Sequence, residues 1–399
     1  MTTKKQTLSV GRDIPATPAA VYAAFTERDW LQRWLCDKAL VAAKVGGYFL
    51  LTEEQPGKQA IGAYTVLEPG AKIAFTWRET GEKADSQIEI ALTERGKITH
   101  VQLTHGGLTA KGYAAYKLAW ENHLRNLQSV LETGVDLRIA GQSDFQFNPV
   151  YTNDPLEPKL KLIGVPVTEG AIIGSVAAGT DTATKLQADD VIVAMDDKPV
   201  RSFADVYAIL DEHKIGDMVK TVFYRRDQKQ TVDLPVAALS IPALPATFAA
   251  LGDLYEKHYA QLNAEFTTIF EGLTEAEASQ APAPGEWNVK EVLAHLILSE
   301  RPVQYWIGTF LQEPRPHSIV GWVPACIAGM VKTNPSAGDM LAEMRRCWTE
   351  MVNLLRSLPP ELSKDKNRLW RANLYLDRFL AHEYEHLGQA KKTAAAVRS

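Results

Sequence analysis

Cysteine is scarce. The 399 residues contain three, Cys36, Cys326 and Cys347, far apart in the chain. An odd count excludes a complete disulfide framework, and free thiols in a reducing cytoplasm are the expectation. Long apolar runs are also missing: no stretch approaches the ~18 residues that mark a membrane span. Residues 1–17 carry charge but lead into no apolar run, so a secretory leader is not expected. Basic residues do not dominate, since 43 Lys and Arg stand against 48 Asp and Glu, a formal net charge of -5. That balance argues against a dedicated nucleic-acid binder, which needs a basic face to displace counterions. No short-period repeat of the solenoid kind is present.

What is present is ordinary globular material, 46% hydrophobic and 23% charged. At ~150 residues per domain the length suggests two or three domains. Two composition shifts divide the chain: the polar run Gly141–Pro158, and Ala237–Ala246 with Pro242 and Pro245. Both read as linkers or boundary loops. Three segments result, 1–135, 159–237 and 245–399, and the fold class is multidomain α+β.

In the first segment, Gln6–Ile14 reads as a strand, and Thr17-Pro18 opens a helix bearing Val21, Tyr22 and Phe25. Strands are expected at Tyr48–Thr52, Ile61–Leu67, Lys72–Trp77, Ser86–Leu92 and Thr99–Thr104. A long helix then carries Tyr116, Trp120, Leu124, Leu127 and Leu131 as one apolar stripe. The expected architecture is a twisted antiparallel sheet gripping one long helix, a helix-grip α/β sandwich. Ile14-Pro15-Ala16-Thr17-Pro18, Trp34, Val45-Gly46-Gly47-Tyr48-Phe49, Gly62 with Val66, and Phe75-Thr76-Trp77 resemble the START-like (SRPBCC) fold in its chaperone-ATPase-activator-like branch. The resemblance implies ligand carriers, lyase-like enzymes or chaperone cofactors. Trp34, Trp77 and Trp120 are the candidates to line a cavity for a small apolar ligand, with plain core packing the favoured reading. His105 and His123 lack a partner at metal spacing and read as structural.

In the second segment, Leu160–Val165, Ala171–Val176 and the run ending at Met195 read as strands. Ser202 caps a helix with Phe203, Val206, Tyr207 and Leu210, and Met218–Arg225 with Gln230–Leu234 forms a closing hairpin. Gly170-Ala171-Ile172-Ile173, Asp190-Val191-Ile192, Lys198-Pro199-Val200 and Gly216-Asp217 resemble a PDZ domain of HtrA-like strand order, a small β-barrel-like module. The resemblance implies capture of a peptide C-terminus by strand addition. The loop Leu162-Ile163-Gly164-Val165 would hold the carboxylate, and the helix bearing Phe203 and Tyr207 would form the other wall.

The third segment is helical throughout: about Ala246–Leu273, a helix after Pro284-Gly285 capped by Asn288, Ala337–Leu358 and Leu369–Ala394. Four such helices suggest an all-α four-helix bundle. Pro314–Pro335, with Trp322 and Cys326, is too long for a tight connection and reads as a lid or a short extra helix.

The last helix contains His382-Glu383-Tyr384-Glu385-His386, literally the H-E-x-x-H string of zinc proteases. That protease site needs a third ligand downstream. Gln389 stands where the extended zinc-protease motif has Gly, and no His, Asp or Glu follows His386. His295, mid-helix on the apolar side of the second helix, is the available third ligand. Three nitrogen ligands leave coordination open, the pattern of a catalytic site. Trp287, Asn288 and His295, with His382 and His386, resemble the DinB/YfiT family of four-helix metal proteins. The resemblance implies thiol-S-transferases and isomerases using low-molecular-weight thiols, or metal-dependent hydrolases. Zinc, nickel and iron are all compatible with imidazole. Glu291 and Glu385 are the expected hydrogen-bond partners of the ligands. Glu383, about 100° around the helix from His382, is expected on the surface, with a general-base role as the outside alternative.

Two readings stay open. In one, the third segment is a metal-dependent enzyme fused to ligand-binding and peptide-binding modules. In the other, the chain is a non-catalytic, stress-response or chaperone-linked adaptor whose metal is structural. A homodimer is one oligomeric arrangement that the sequence leaves open.

Overall fold

The computed structural model describes residues 5–53, 57–150, 156–309 and 323–398. The chain up to Leu137 and the chain from Pro242 onward form one compact unit, and Arg138–Ile241 forms a second.

The first unit begins with β1 (Gln6–Ile14), α1 (Pro18–Thr26), α2 (Arg28–Trp34), β2 (Lys38–Val41), β3 (Tyr48–Glu53), β4 (Lys58–Glu68), β5 (Lys72–Glu79), β6 (Ser86–Arg95), β7 (Ile98–Leu108) and α3 (Ala110–Glu132). The strands make one antiparallel sheet in the order β1-β7-β6-β5-β4-β3-β2. Thr17 caps α1 through its side chain, with Pro18 in the first turn. The α3 stripe of Tyr116, Trp120, Leu124 and Leu127 is buried in the same core as Phe75, Ile88, Val101 and Leu103. Two elements have no sequence signal, α2 and β2. At seven and four residues they are too short to display a period.

The second unit contains most of α4 (Leu137–Ala140), then β8 (Ser143–Asp144), β9 (Phe147–Pro149), α5 (Glu157–Ile163), β10 (Ala171–Val176), β11 (Val191–Met195), β12 (Lys198–Pro199), α6 (Phe203–Leu210), β13 (Met218–Arg225), β14 (Gln228–Pro235) and β15 (Ala237–Ala238). Its main sheet runs β14-β13-β11-β10-β9, with β12 on β11, and β15 pairs with β8. Two expectations are corrected here. The run 141–158 is not simply a linker: β9 pairs with β10, and Phe145 and Phe147 are buried. Leu160–Val165 is not a strand. Leu156, Leu160 and Ile163 recur at i, i+4 and i+7, a helical period, and they pack with Val165 and Ile172. Gly164 ends that helix at φ 82°, a left-handed conformation that glycine adopts without a Cβ clash.

The remainder of the first unit is α7 (Phe248–Glu271), α8 (Glu275–Ala278), α9 (Val289–Thr309), α10 (Val323–Thr333), α11 (Ala337–Ser357) and α12 (Lys366–Val397). The four long helices share one core that includes Leu262, Phe266, Leu293, Ile297, Met344, Met351 and Leu376. The expected extra helix is present as α10, which carries Cys326; Trp322 and the rest of 314–322 lie outside the described residues. Among the described residues, no helix is long and apolar enough to cross a membrane.

The N-terminal half of α12 docks on the helix-grip module. Arg371 and Asp136, 3% and 0% exposed, form an ion pair at 2.8 Å. Asn126 donates to the other Asp136 oxygen at 2.9 Å, and Arg371 also donates to the Arg33 carbonyl at 3.1 Å. Asn367 donates to the Gly134 carbonyl at 2.6 Å. Gly134 has φ 86°, and a Cβ there would lie 2.5 Å from the Lys366 carbonyl, so the close approach requires glycine.

Candidate metal centre

The site is built from the two helices that run past each other in the bundle. Asn288 and Glu291 form a reciprocal cap at the start of α9: Asn288 Oδ1 accepts the Glu291 N–H at 3.0 Å, and Glu291 Oε2 accepts the Asn288 N–H at 2.9 Å. His295 lies one turn beyond Glu291. On α12, His382 and His386 are one turn apart and share a face. The His295 and His382 Nε2 atoms are 3.3 Å apart, and those of His382 and His386 are 3.1 Å apart. One nitrogen from each ring lies within 4.8 Å of the others.

This donor set fits a metal ion. Tetrahedral coordination at 2.0–2.1 Å separates neighbouring nitrogens by about 3.3 Å. Burial, and then the neighbouring imidazoles, hold His295 and His382 down to about 3, so both are neutral at physiological pH. Neutral imidazole is the metal-binding form. His386 meets Gln389 Oε1 through Nδ1 at 2.7 Å. A carbonyl oxygen only accepts, so Nδ1 carries the proton and Nε2 turns its lone pair toward the other rings. The Trp287 ring lies 4.7 Å from that of His295 and walls one side of the cluster.

The structure brings His295, His382 and His386 together and corrects the residues expected around them. Glu291 caps α9 instead of bonding an imidazole. Glu385, raised to about 7 by burial, is not a hydrogen-bond partner of His295 or His382, whose Nδ1 atoms are buried without partners. Gln389 is the partner that sequence reasoning missed. Its i+3 spacing from His386 was the available signal.

Glu383 is not a surface residue. It is 2% exposed, and its Oε1 accepts the Trp348 indole N–H at 2.8 Å. Behind it, Tyr259 donates to the buried Glu300 at 2.7 Å, and the Tyr259 and Trp348 rings stack at 5.3 Å. Each long helix thus contributes one residue to a polar layer inside the bundle. Burial and the Glu300 charge push Glu383 well above the carboxylate range, and burial raises Glu300 to about 7.

In the helix-grip module two of the three candidate cavity tryptophans pack as core. Trp34 is fully buried and donates to the Ala24 carbonyl at 2.9 Å. Trp120 donates to His105 Nδ1 at 3.1 Å. Only Trp77 of the three lines the cleft of about 420 Å³ beside α3. His105 is locked as the Nε2–H tautomer. Its Nδ1 accepts from Trp120, its Nε2 lies 2.7 Å from Ser86 Oγ, and Ser86 donates onward to the Trp77 carbonyl at 2.8 Å. A histidine that donates to the serine cannot take its proton, so the pair is structural.

In the second unit the N–H of Gly164 bonds the Leu160 and Lys161 carbonyls, and the N–H of Val165 bonds the Leu160 carbonyl. These donors close α5. Leu162-Ile163-Gly164-Val165 is therefore not an open carboxylate loop, which corrects that expectation. Phe203 and Tyr207 do lie on a helix, and Tyr207 is 40% exposed.

Three family models match the chain in order: Activator of Hsp90 ATPase homolog 1-like protein over residues 15–132, PDZ domain over 147–236 and DinB superfamily over 258–390. Curated relatives include the serine protease Do-like HtrA of Lactococcus lactis subsp. cremoris (strain MG1363), 32% identical over 119 residues, which are 29% of this chain and 28% of that protein. The same-named protein of Lactococcus lactis subsp. lactis (strain IL1403) is 36% identical over 87 residues, 22% of this chain and 21% of that one. The chain thus spans 28% and 21% of the lengths of these two relatives. Solved structures with likeness include protein MLL2253 from Mesorhizobium loti, at 22% identity over 32% of this chain and 97% of that chain, TM-score 0.30. An HSP90 activator from Plasmodium falciparum is similar at 25% identity over 31% of this chain and 95% of that chain, TM-score 0.28.

Proposed function

We propose that the DinB module is a metal-dependent enzyme of thiol-S-transferase or hydrolase type acting on a small electrophile at His295, His382 and His386. The observation that supports this is the convergence of the three rings at Nε2–Nε2 distances of 3.1 and 3.3 Å. A zinc, nickel or iron ion bound there supplies a Lewis acid that lowers the pKa of a thiol or water. The chain's own residues do the rest. The neutral imidazoles add no negative charge that would oppose an anionic nucleophile. Gln389 holds the His386 proton at Nδ1, and the Trp287 ring packs on the His295 flank. Glu383 is held in the core by Trp348 and is no general base.

Metal analysis of the full chain tests this reading. One ion per chain is expected, falling to near zero in His386→Ala. A cobalt-substituted protein should gain sulfur-to-metal charge transfer on addition of a low-molecular-weight thiol, and should conjugate that thiol to monochlorobimane. A cobalt spectrum indifferent to thiol, with no conjugation, rejects the enzyme and leaves the adaptor.

The PDZ module takes a peptide C-terminus beside Phe203 and Tyr207. Because α5 occupies the Gly164 and Val165 N–H groups, its last turn must open to receive a carboxylate. A free hydrophobic peptide should bind more tightly than its amidated form. Equal affinity would show that no carboxylate is captured.

A further inference from the structure

The two edges of the seven-stranded sheet in the helix-grip module are built differently. At the β1 edge a register shift falls between Gln6 and Thr7, and Arg12 Nη1 ties the strand to α3, donating to Gln128 Oε1 at 2.7 Å. Bulges, prolines and covering helices are the usual ways of blocking an edge. At the other edge, β2 contains no proline, and its pairing with β3 runs without a register shift. α2 meets the start of β2, where Gln32 Nε2 donates to the Asp37 carbonyl at 3.1 Å. Ala39 and Val41 lie beyond that point, and among the described residues no strand pairs with their side of β2.

The ladder fixes which backbone groups face outward. The Ala42 N–H donates to the Tyr48 carbonyl at 2.9 Å, and in the same register Leu40 pairs with Leu50 and Lys38 with Thr52. The even-numbered residues of β2 therefore bond to β3, and the N–H and C=O groups of Ala39 and Val41 point to the open edge. Side chains alternate as well: Ala39 is buried in the core, whereas Leu40 is 67% exposed on the outer face. That face also carries Tyr48, 76% exposed, the half-buried Leu50 and the exposed Ile61. Leu40, Leu50 and Ile61 form one apolar rung across β2, β3 and β4.

We propose that β2 pairs antiparallel with β2 of a second copy of this chain, joining two sheets across a two-fold axis. Exchange of bonds between Ala39 of one copy and Val41 of the other places the two Leu40 residues opposite each other on the axis. They form a non-hydrogen-bonded pair, the kind in which side chains come closest. The apolar rung then continues unbroken from Ile61 of one copy to Ile61 of the other. Lys38 is the one charged residue of β2, and the register sets it opposite Ala42, beside Tyr48 of the other copy. The cation thus meets an aromatic ring and not a like charge. An unrelated strand could satisfy the backbone groups, but only a second copy supplies Leu40 and Tyr48 in matching positions. This interface stands apart from the metal centre and gives a defined face to the homodimer that the sequence leaves open.

The test uses the full chain, with the exposed native thiol removed by Cys326→Ser. Sedimentation equilibrium across about 1–100 μM should show a monomer–dimer equilibrium. Leu40→Lys sets two ammonium groups opposite each other and should weaken the dimer at least tenfold. Residue 40 is exposed, so an unchanged melting temperature should confirm the fold. Under copper–phenanthroline oxidation, Leu40→Cys should give a covalent dimer, because Cα atoms of a non-hydrogen-bonded pair are about 4.5 Å apart, within disulfide range. Ile61→Cys should not, since five strand spacings separate its two thiols by about 24 Å. A chain that stays monomeric, with or without capture of an unrelated extended peptide at β2, overturns the proposal. So does a dimer unmoved by Leu40→Lys, or Ile61→Cys cross-linking as readily as Leu40→Cys.

Discussion

His386 donates from Nδ1 to Gln389 Oε1 across 2.7 Å, one turn further along α12. The contact fixes which nitrogen of His386 faces His382. Gln389→Leu should release the tautomer and weaken metal binding about 10- to 100-fold, the usual cost of losing an outer hydrogen-bond partner. Competition with a chromophoric chelator measures the affinity, and ¹⁵N imidazole shifts of the metal-free protein report the tautomer. Gln389→Glu should retain both.

Glu383 separates packing from chemistry. Glu383→Gln can keep the Trp348 hydrogen bond while removing a charge that burial and Glu300 both disfavour, so stability should change by less than about 1 kcal/mol. Glu383→Ala leaves a cavity and an unpaired indole N–H and should cost about 2–4 kcal/mol. Chemical denaturation distinguishes the two. Turnover surviving in Glu383→Gln would agree with a structural role.

Arg371 and Asp136 tie the bundle to the helix-grip module. Removing one member of a buried pair strands the other charge, so Arg371→Ala should destabilise by about 3–5 kcal/mol. The double variant Arg371→Met with Asp136→Leu should cost less than the sum of the two single changes, because no charge is left unpaired. Denaturation curves of the four proteins complete the cycle.

His105 makes the helix-grip module acid-sensitive. Its folded-state pKa is depressed by burial to about 4, against an ordinary 6.5. Stability from this residue is fully present above pH 6.5. It is lost as pH falls from 6.5 toward 4, because the unfolded chain takes up the proton first. The loss amounts to about 3 kcal/mol at most. Melting temperature followed from pH 7 to pH 4 should fall less steeply in His105→Gln than in the parent.

Much of the site could be read in the sequence because helices announce their own geometry. The i, i+4 spacing puts His382 and His386 on one face whatever surrounds them, and the Asn288 cap sets where α9 starts. The strand alternation of the first segment and the long stripe on α3 are equally local signals. Glu291 shows the limit of this reading. A glutamate one turn from a ligand is near it along the chain, but the open N–H groups at the helix start are nearer still. Leu160 shows another: Leu156, Leu160 and Ile163 have a helical period, but a run as short as Leu160–Val165 taken alone reads equally as a strand.

By itself, therefore, the sequence determined three modules, their order, the four long helices and the three imidazoles that meet. Tertiary structure alone decided that Glu383 points into the core, that Arg371 finds Asp136, and that Glu53 and Glu79 end at an open cleft. The reason is physical. A helical or strand period fixes angles between neighbours on one element, whereas the side of an element that becomes interior depends on what packs against it. Residues 235 positions apart, such as Asp136 and Arg371, leave no local signature of their contact.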